Sequence, residues 1–196
     1  ILNSDYYRVN VAGNQLDNGR VLLNYGRVIG NDIDAINGFN GIQINEGAVT
    51  VTDTIKIYGN IVISTEDAIS SDNGNVFLDI RNNALFCGFG STDYGIFIND
   101  VINSNARINK IYNNAIDGEN GIFITLPFGH TEPIFEIFNN VIENENGTYG
   151  IGIQGNYTSF AFYNYVGDDF NVDIDTDVTS QSNNVVNSTI QVNPRG

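Results

Sequence analysis

Several residue types that define protein classes are scarce in this sequence. Its 196 residues contain one cysteine, Cys87, three prolines and one histidine, and no tryptophan or methionine. A single cysteine excludes an internal disulfide framework, so we expect stability to come from burial and backbone pairing. No stretch approaches the roughly 18 consecutive apolar residues of a membrane-spanning helix, so we predict no membrane insertion.

Positive charge is also scarce. Asp and Glu outnumber Lys and Arg by 23 to 8, which gives a net charge of −15. Binding to phosphate-rich partners needs clustered cations that displace counterions, whereas these lie scattered between Arg8 and Arg195. The sequence therefore predicts no nucleic-acid partner. Hydrophobic residues make up 41% of the chain, enough to fill the core of one domain or of a one-dimensional array.

What the chain does contain is a repeat. A glycine followed by an alternating apolar strand recurs as GIQI, GIFI, GIFI and GIGI, with AISS as a degenerate copy. These copies begin at Gly41, Gly95, Gly121 and Gly150, and at Ala68 for the degenerate one. Successive copies are 27, 27, 26 and 29 residues apart. A fixed period of this length indicates a stacked array of similar units.

A second marker is an asparagine at the end of another short strand. It occurs at Asn60, Asn83, Asn114 and Asn140, with Tyr165 at the equivalent place of the last copy and weaker copies at Asn14 and Asn31. In stacked coils such asparagines would hydrogen-bond to the copies above and below, which satisfies amides that are otherwise buried without a partner. Asparagine also tolerates the left-handed backbone of a sharp bend. We therefore predict an asparagine ladder.

The local pattern is that of an all-β protein. Gly and Asn interrupt the chain every few residues, β-branched and aromatic residues dominate, and the apolar alternation has period two. Short strands at near-constant spacing predict a parallel solenoid of about six to seven coils of ~27 residues, stacked at about 4.8 Å. We predict a single domain over 1–196, with coils over about 9–178 and a C-terminal tail or strand over 179–196.

Alignment of the copies predicts which side chains stack. The inward column contains Ile57, Ile80, Ile111, Ile137 and Phe162. The preceding outward column contains Lys56, Asp79, Lys110 and Glu136. Charges of opposite sign on adjacent strands stabilise modestly, so the alternation in sign favours this register.

The Gly-Ile-x-Ile and Ile-x-Asn-Asn-x-Ile phrases resemble those of right-handed parallel β-helix repeat proteins. These form the pectate-lyase-like superfamily, which includes NosD-like and many cell-surface members. The resemblance covers about Val9 to Val178 and implies a right-handed parallel β-helix. It specifies an architecture better than an activity.

Members of that superfamily are often polysaccharide lyases or glycoside hydrolases, which require converging carboxylates. The motifs typical of polygalacturonase-like members do not match: GDDF at Gly167 and GHT at Gly129 stand in reverse order, and the other two motifs are missing. We interpret Arg81 and Arg107 as surface residues and His130 as a solvent-exposed loop residue. We therefore assign no catalytic residue.

Three aspartates are candidate calcium ligands. Asp173, Asp175 and Asp177 alternate with apolar residues and so share one face of a predicted strand. Calcium binds carboxylate oxygens and would relieve the repulsion between them. The alternative is a solvated outer face, and no cofactor is required by the sequence.

A set of aromatic residues is predicted to point outward from the coils. An exposed aromatic stripe would suit either sugar rings or contact with a neighbouring molecule. Cover by inserted loops is the alternative. The set consists of Tyr58, Tyr112, Phe138, Tyr163, Phe97 and Phe123.

Three Asn-x-Ser/Thr triplets, at Asn146, Asn156 and Asn187, are candidate N-glycosylation sites and favour an extracellular or cell-surface location. The chain opens with Ile1, from which we expect a mature product or an excised segment.

The ends of the array determine the predicted function. The strand-like start of the chain predicts an uncapped N-terminal end, and STIQVNPRG near the C-terminus is a candidate added strand. Uncapped solenoid ends and the lack of a catalytic constellation predict a structural protein that self-associates end to end or laterally. The alternative is a module that binds or degrades polysaccharide.

Overall fold

The structure is a computed structural model that describes the chain in segments. The described segments are residues 9–45, 54–71, 77–88, 92–99, 108–125, 134–143, 147–154, 158–167, 172–174, 180–182 and 184–186. Every regular element in them is a β-strand. No helix in these segments is long and apolar enough to cross a membrane.

The strands form three parallel sheets. Sheet 1 contains β1 (Val9–Ala12), β4 (Gly26–Ile29), β7 (Thr54–Tyr58), β10 (Phe77–Arg81), β13 (Ile108–Tyr112), β16 (Ile134–Phe138), β19 (Thr158–Phe162) and β22 (Ser180–Ser182). Sheet 2 contains β2 (Gln15–Asp17), β5 (Asp32–Ala35), β8 (Ile61–Ser64), β11 (Ala84–Cys87), β14 (Ala115–Asp117), β17 (Val141–Glu143), β20 (Tyr165–Val166) and β23 (Val185–Val186). Sheet 3 contains β3 (Val21–Leu23), β6 (Ile42–Ile44), β9 (Ile69–Ser71), β12 (Tyr94–Ile98), β15 (Asn120–Thr125), β18 (Tyr149–Gln154) and β21 (Val172–Ile174).

Each sheet takes every third strand, so the chain winds through the three sheets once per coil. This confirms the predicted all-β, parallel β-helix fold. The coil count differs from the predicted six to seven. The described strands make seven three-strand coils and two strands of an eighth. Coil length also varies more than predicted. Equivalent asparagines of successive coils are between 17 and 31 residues apart.

The core is a set of stacked columns from alternate positions of every strand. In β7 and β16 the burial alternates residue by residue, which the period of two requires. Ile57, Ile80, Ile111 and Ile137 are fully buried neighbours in sheet 1, as predicted. The prediction that Phe162 continues this column was wrong. Ala161 pairs with Ile137 and is buried, whereas Phe162 points outward beside Phe138.

Sheet 3 confirms the glycine marker of the repeat. Ile42, Ile69, Ile96, Ile122 and Ile151, each directly after a marker residue, are register partners in turn. The marker position is small because the chain passes close to sheet 2 there. A Cβ on Gly121 would stand 2.5 Å from Cγ2 of Ile142 and would overlap the carbonyl oxygen of Gly150.

Candidate interaction surfaces

A corner of two residues joins sheet 1 to sheet 2 in every coil. Its first residue has the left-handed backbone conformation, with φ between 54° and 68° wherever it is described. These residues are Gly13, Gly30, Gly59, Asn82, Asn113, Asn139 and Tyr163. The second residue is an asparagine, which is buried in the inner coils, as at Asn60 and Asn140, and exposed at Asn14 in the first.

The buried asparagines form the predicted ladder. At a representative rung, the main-chain N–H and the Nδ2 group of Asn83 donate to Oδ1 of Asn114, at 3.1 and 2.9 Å. Nδ2 of Asn114 donates to the carbonyl of Ile80 at 3.2 Å. The same bonds link Asn14, Asn31, Asn60, Asn83, Asn114, Asn140, Asn164 and Asn184. The ladder therefore satisfies a column of buried amides along the whole described solenoid.

Two details of the predicted corner were wrong. Asn164, and not Tyr165, continues the ladder, because the last copy of the repeat is shifted by one residue relative to the predicted alignment. The left-handed conformation also belongs to the residue before the ladder asparagine. In the doublet Asn139-Asn140, the exposed Asn139 makes the bend and the buried Asn140 makes the ladder bonds.

The outer face of sheet 1 carries a column of charges in the predicted register. Lys56, Asp79, Lys110 and Glu136 are successive partners, and Arg27 precedes them. Nζ of Lys110 lies 3.5 Å from Oε2 of Glu136, and Nε of Arg81 lies 3.4 Å from Oδ1 of Asp79. Within the described residues, Arg27 and Lys56 have no ion-pair partner.

A second outward column of sheet 1 is largely aromatic. Tyr112 stacks on Phe138 at 4.7 Å between ring centroids, and Phe138 stacks on Phe162 at 5.1 Å. The guanidinium of Arg81 lies 4.8 Å from the ring centre of Tyr58. Tyr163, which the sequence predicts to point outward, is exposed but lies outside this column. It is the left-handed corner residue, 58% exposed, and it meets Phe162 edge to face.

Sheet 3 carries the other predicted aromatics. Tyr94 stacks on both Phe97 and Phe123 at 5.2 Å, and Phe123 contacts Tyr149 at 4.7 Å. Phe123 is therefore buried among aromatic neighbours, which corrects its predicted exposure. Gly152 makes room for this cluster, because a Cβ there would stand 2.5 Å from the Phe123 ring.

The outer face of sheet 2 is the surface that the sequence reasoning missed. Ile61, Ile63, Phe86 and Val141 are each more than two-fifths exposed there. A depression of about 200 Å³ lies between Phe86, Val141 and their neighbours. The signal was present in the sequence, since β8 and β11 carry apolar residues at outward as well as inward positions.

Carboxylates border this apolar patch, and no cation accompanies them among the outward residues of β2, β5, β8, β11, β14 and β17. Within the described residues none of these carboxylates forms an ion pair. They belong to Asp17, Asp32, Asp34, Asp117 and Glu143.

Cys87 is buried behind this face. Burial raises the pKa of its thiol, and the charges of Asp67, Asp93, Asp117 and Glu119 raise it further. The thiol therefore stays protonated and is a poor nucleophile and metal ligand. The described residues contain no group of three or more His, Cys, Asp or Glu that could hold a metal ion.

Other predicted sites fall outside the described residues. These are Asp175 and Asp177, His130 and Arg107, the sequons at Asn146, Asn156 and Asn187, and the candidate strand over 188–196. Asp173 lies in β21, but its side chain is not described.

Comparison with protein-family models, with curated proteins and with solved structures found no match for this chain. The surfaces themselves therefore carry the functional argument. They offer stacked aromatics, a charged column and an apolar face.

Proposed function

We propose that this chain is a non-catalytic structural β-helix protein that assembles end to end through open solenoid ends. Its setting would be a filament, a sheath, a surface layer or the stalk of an adhesin, in an extracellular or cell-surface location. The observation that carries the proposal is the polarity of the asparagine ladder.

Every rung of the ladder points the same way. Oδ1 of each asparagine accepts from the asparagine of the preceding coil, as Asn31 accepts from Asn14 at 3.0 Å. Within the described residues, Oδ1 of Asn14 accepts no hydrogen bond and the main-chain N–H of Asn184 donates none. Donors at one end of the ladder therefore match acceptors at the other, as head-to-tail stacking of copies requires.

The end strands support the same arrangement. In the described part of the chain β1, β2 and β3 each pair on one side only, and so do β21, β22 and β23. A strand with a free edge is a template for pairing with another chain. A head-to-tail contact between copies joins different surfaces and propagates into an open filament unless it closes into a ring.

The alternative, a module that binds or degrades polysaccharide, draws its support from the aromatic columns and from the resemblance to the pectate-lyase-like superfamily. We also propose that the chain belongs to that superfamily. The geometry of the rings weakens this alternative, because sugar rings stack on free aromatic faces. Tyr112, Phe138 and Phe162 lie nearly parallel, with interplanar angles of 8° and 0°, so each covers the face of the next.

The test is to block one end without disturbing the coils. In the coils that follow the first, the residue after the ladder asparagine donates its N–H to the preceding coil, as Asp32 donates to Asn14 at 2.8 Å. The equivalent N–H of Gln15 donates to no described residue. Proline is tolerated where a strand N–H faces away from the sheet, so Gln15→Pro removes the free edge donor. It also loses the bond from Nε2 of Gln15 to Oδ1 of Asp17, a loss that Gln15→Ala shares.

We expect the wild type to show particle mass that rises with concentration in sedimentation velocity, with elongated particles in electron micrographs. Gln15→Pro should show no end-to-end growth into elongated particles, whereas the matched control Gln15→Ala keeps the N–H and should assemble. A wild type that stays monomeric at every concentration would overturn the proposal. So would assembly of Gln15→Pro to the extent of Gln15→Ala.

A further inference from the structure

The two sheets on either side of the asparagine corner have opposite chemistry. The outward column of sheet 1 holds Arg27, Lys56 and Lys110, and Arg81 stands in the column beside it. Its two carboxylates, Asp79 and Glu136, lie within 4 Å of Arg81 and Lys110. Among the described cations of sheet 1, those left without an ion-pair partner are therefore Arg27 and Lys56.

Sheet 2 holds the counterpart. Its outward carboxylates have no cation within reach in the described part of the chain. The unpaired groups of opposite sign also lie at the same height of the solenoid. Arg27 on β4 and Asp32 and Asp34 on β5, strands of one coil, are partly or fully exposed and form no ion pair in the described structure.

The exposed apolar patch of sheet 2 lies at the height of an aromatic and a cationic side chain in the matching coils of sheet 1. Ile61 and Ile63 on β8 and Phe86 on β11 form the exposed patch of sheet 2. In the same two coils sheet 1 presents Tyr58 and Arg81. A patch that combines exposed apolar residues with a charged border is typical of a protein contact surface.

From this complementarity we propose that the outer face of sheet 2 binds the outer face of sheet 1 of a second copy of this chain. The proposal deepens the self-association proposed above, because it names the surfaces of a lateral contact. It does not depend on the open ends. With equal heights in register, Arg27 of one copy meets Asp32 and Asp34 of the next, and Lys110 meets Asp117.

The size of the faces sets the strength of the contact. Sheet 2 is the narrower face, with eight stacked strands of two to four residues, so the contact measures roughly 35 by 10 Å, since strands stand about 4.8 Å apart and rise about 3.3 Å per residue. The total area buried on the two copies is then about 700 Å², below the about 1,000 Å² expected of a specific interface. The net charge of −15 also opposes association. A single lateral contact is therefore weak, and contacts repeated along a filament add up.

A charge-swap experiment tests the contact. One variant carries Arg27→Glu with Lys56→Glu on sheet 1, and the other carries Asp32→Lys with Asp34→Lys on sheet 2. None of these residues has an ion-pair partner within the described structure, so neither variant breaks an internal pair. Circular dichroism and the denaturation midpoint report whether both fold. Association is measured by sedimentation velocity up to about 1 mM, because the contact is weak.

Each variant alone brings like charges together, and we expect its lateral association to fall at least about tenfold relative to the parent. Mixing the two variants restores opposite charges at both contacts, so we expect association to return to the parental level. Failure of the mixture to associate would overturn the proposal. So would undiminished association of either variant alone. If only the sheet 2 variant lowered association, and mixing it with the sheet 1 variant did not restore it, then sheet 2 would bind a surface other than sheet 1.

The experiment separates this proposal from the one above when all variants also carry Gln15→Pro. With the free edge donor removed, end-to-end growth stops and the lateral contact persists. If the mixture fails to associate in that background, the lateral contact is contradicted and the end-to-end proposal is unaffected. If the mixture associates but Gln15→Pro leaves end-to-end growth unchanged, the role of the open ends is contradicted and the lateral contact is unaffected.

Discussion

The corner between sheets 1 and 2 and the connections into sheet 3 both carry the chain from one sheet to the next. They differ in how much their length varies from coil to coil. The corner has two residues in every described coil, as at Gly59-Asn60 and Asn113-Asn114. The connection from sheet 2 to sheet 3 spans 36–41 in one coil and 118–119 in another. In the described coils, length therefore varies through the connections and not through the corner.

The difference follows from what holds each region. A ladder bond forms only if an amide sits at the same place in the coil above, about 4.8 Å away, so an added residue at the corner would break several buried hydrogen bonds. In the parts of the connections that the structure describes, no amide column of this kind runs through every coil. At the glycine marker the condition is steric, since Gly121 must admit the chain of the next coil. The corner thus fixes the register, and the connections absorb the insertions.

The largest expected effect comes from removing a ladder amide. Asn114→Ala leaves the N–H and Nδ2 groups of Asn83 without their acceptor and the carbonyl of Ile80 without its side-chain donor. Each unpaired buried group costs about 1–3 kcal/mol, so we expect the free energy of unfolding to fall by roughly 2–5 kcal/mol. Urea denaturation measures this loss, and amide hydrogen exchange at Asn83 locates it.

The matched control is Asn113→Ala, one residue away in the same corner. Asn113 is exposed and has φ of 55°, so alanine there loses only the tolerance of asparagine for the left-handed conformation, about 1 kcal/mol. Equal destabilisation by the two substitutions would show that the ladder contributes no more than the bend.

The next effect tests the steric column. Gly121→Ala would place a Cβ against the carbonyl oxygen of Gly150 and against Ile142, so we expect a loss of about 1–3 kcal/mol from overpacking. Ala68 stands in the same column and already carries a Cβ. Ala68→Gly should therefore cost only about 0.5–1 kcal/mol, from backbone entropy. Thermal and urea unfolding of both variants measure the two costs. If Gly121→Ala had the same free energy of unfolding as the wild type, the column would not be tightly packed.

The smallest effect is a gain. Tyr163 holds φ of 57°, where the other described corners have glycine or asparagine. Replacing it with asparagine relieves strain, so we expect Tyr163→Asn to raise the free energy of unfolding by about 1 kcal/mol. Tyr163→Phe keeps the strain and should leave stability unchanged. A loss of stability in Tyr163→Asn would mean that the edge contact with Phe162 outweighs the strain.

Much of the fold could be predicted because particular residues recur once per coil. The Gly-Ile-x-Ile copies and the asparagines at 60, 83, 114 and 140 gave the sheets, their direction and the ladder. The last coil could not be aligned in this way. Tyr163-Asn164-Tyr165 offers two aromatic residues around the asparagine, and only the pairing of Phe162 with Phe138 shows which one bends the chain.

The sequence alone determined that this protein stacks its coils, because identical residues at regular intervals can satisfy buried amides only when they lie above one another. The tertiary structure decided what the coils present to their surroundings. Whether an outward side chain is open or covered depends on neighbours from other coils. For that reason Phe123 turned out to be buried in a ring cluster, and the apolar face of sheet 2 emerged only with the three sheets assembled.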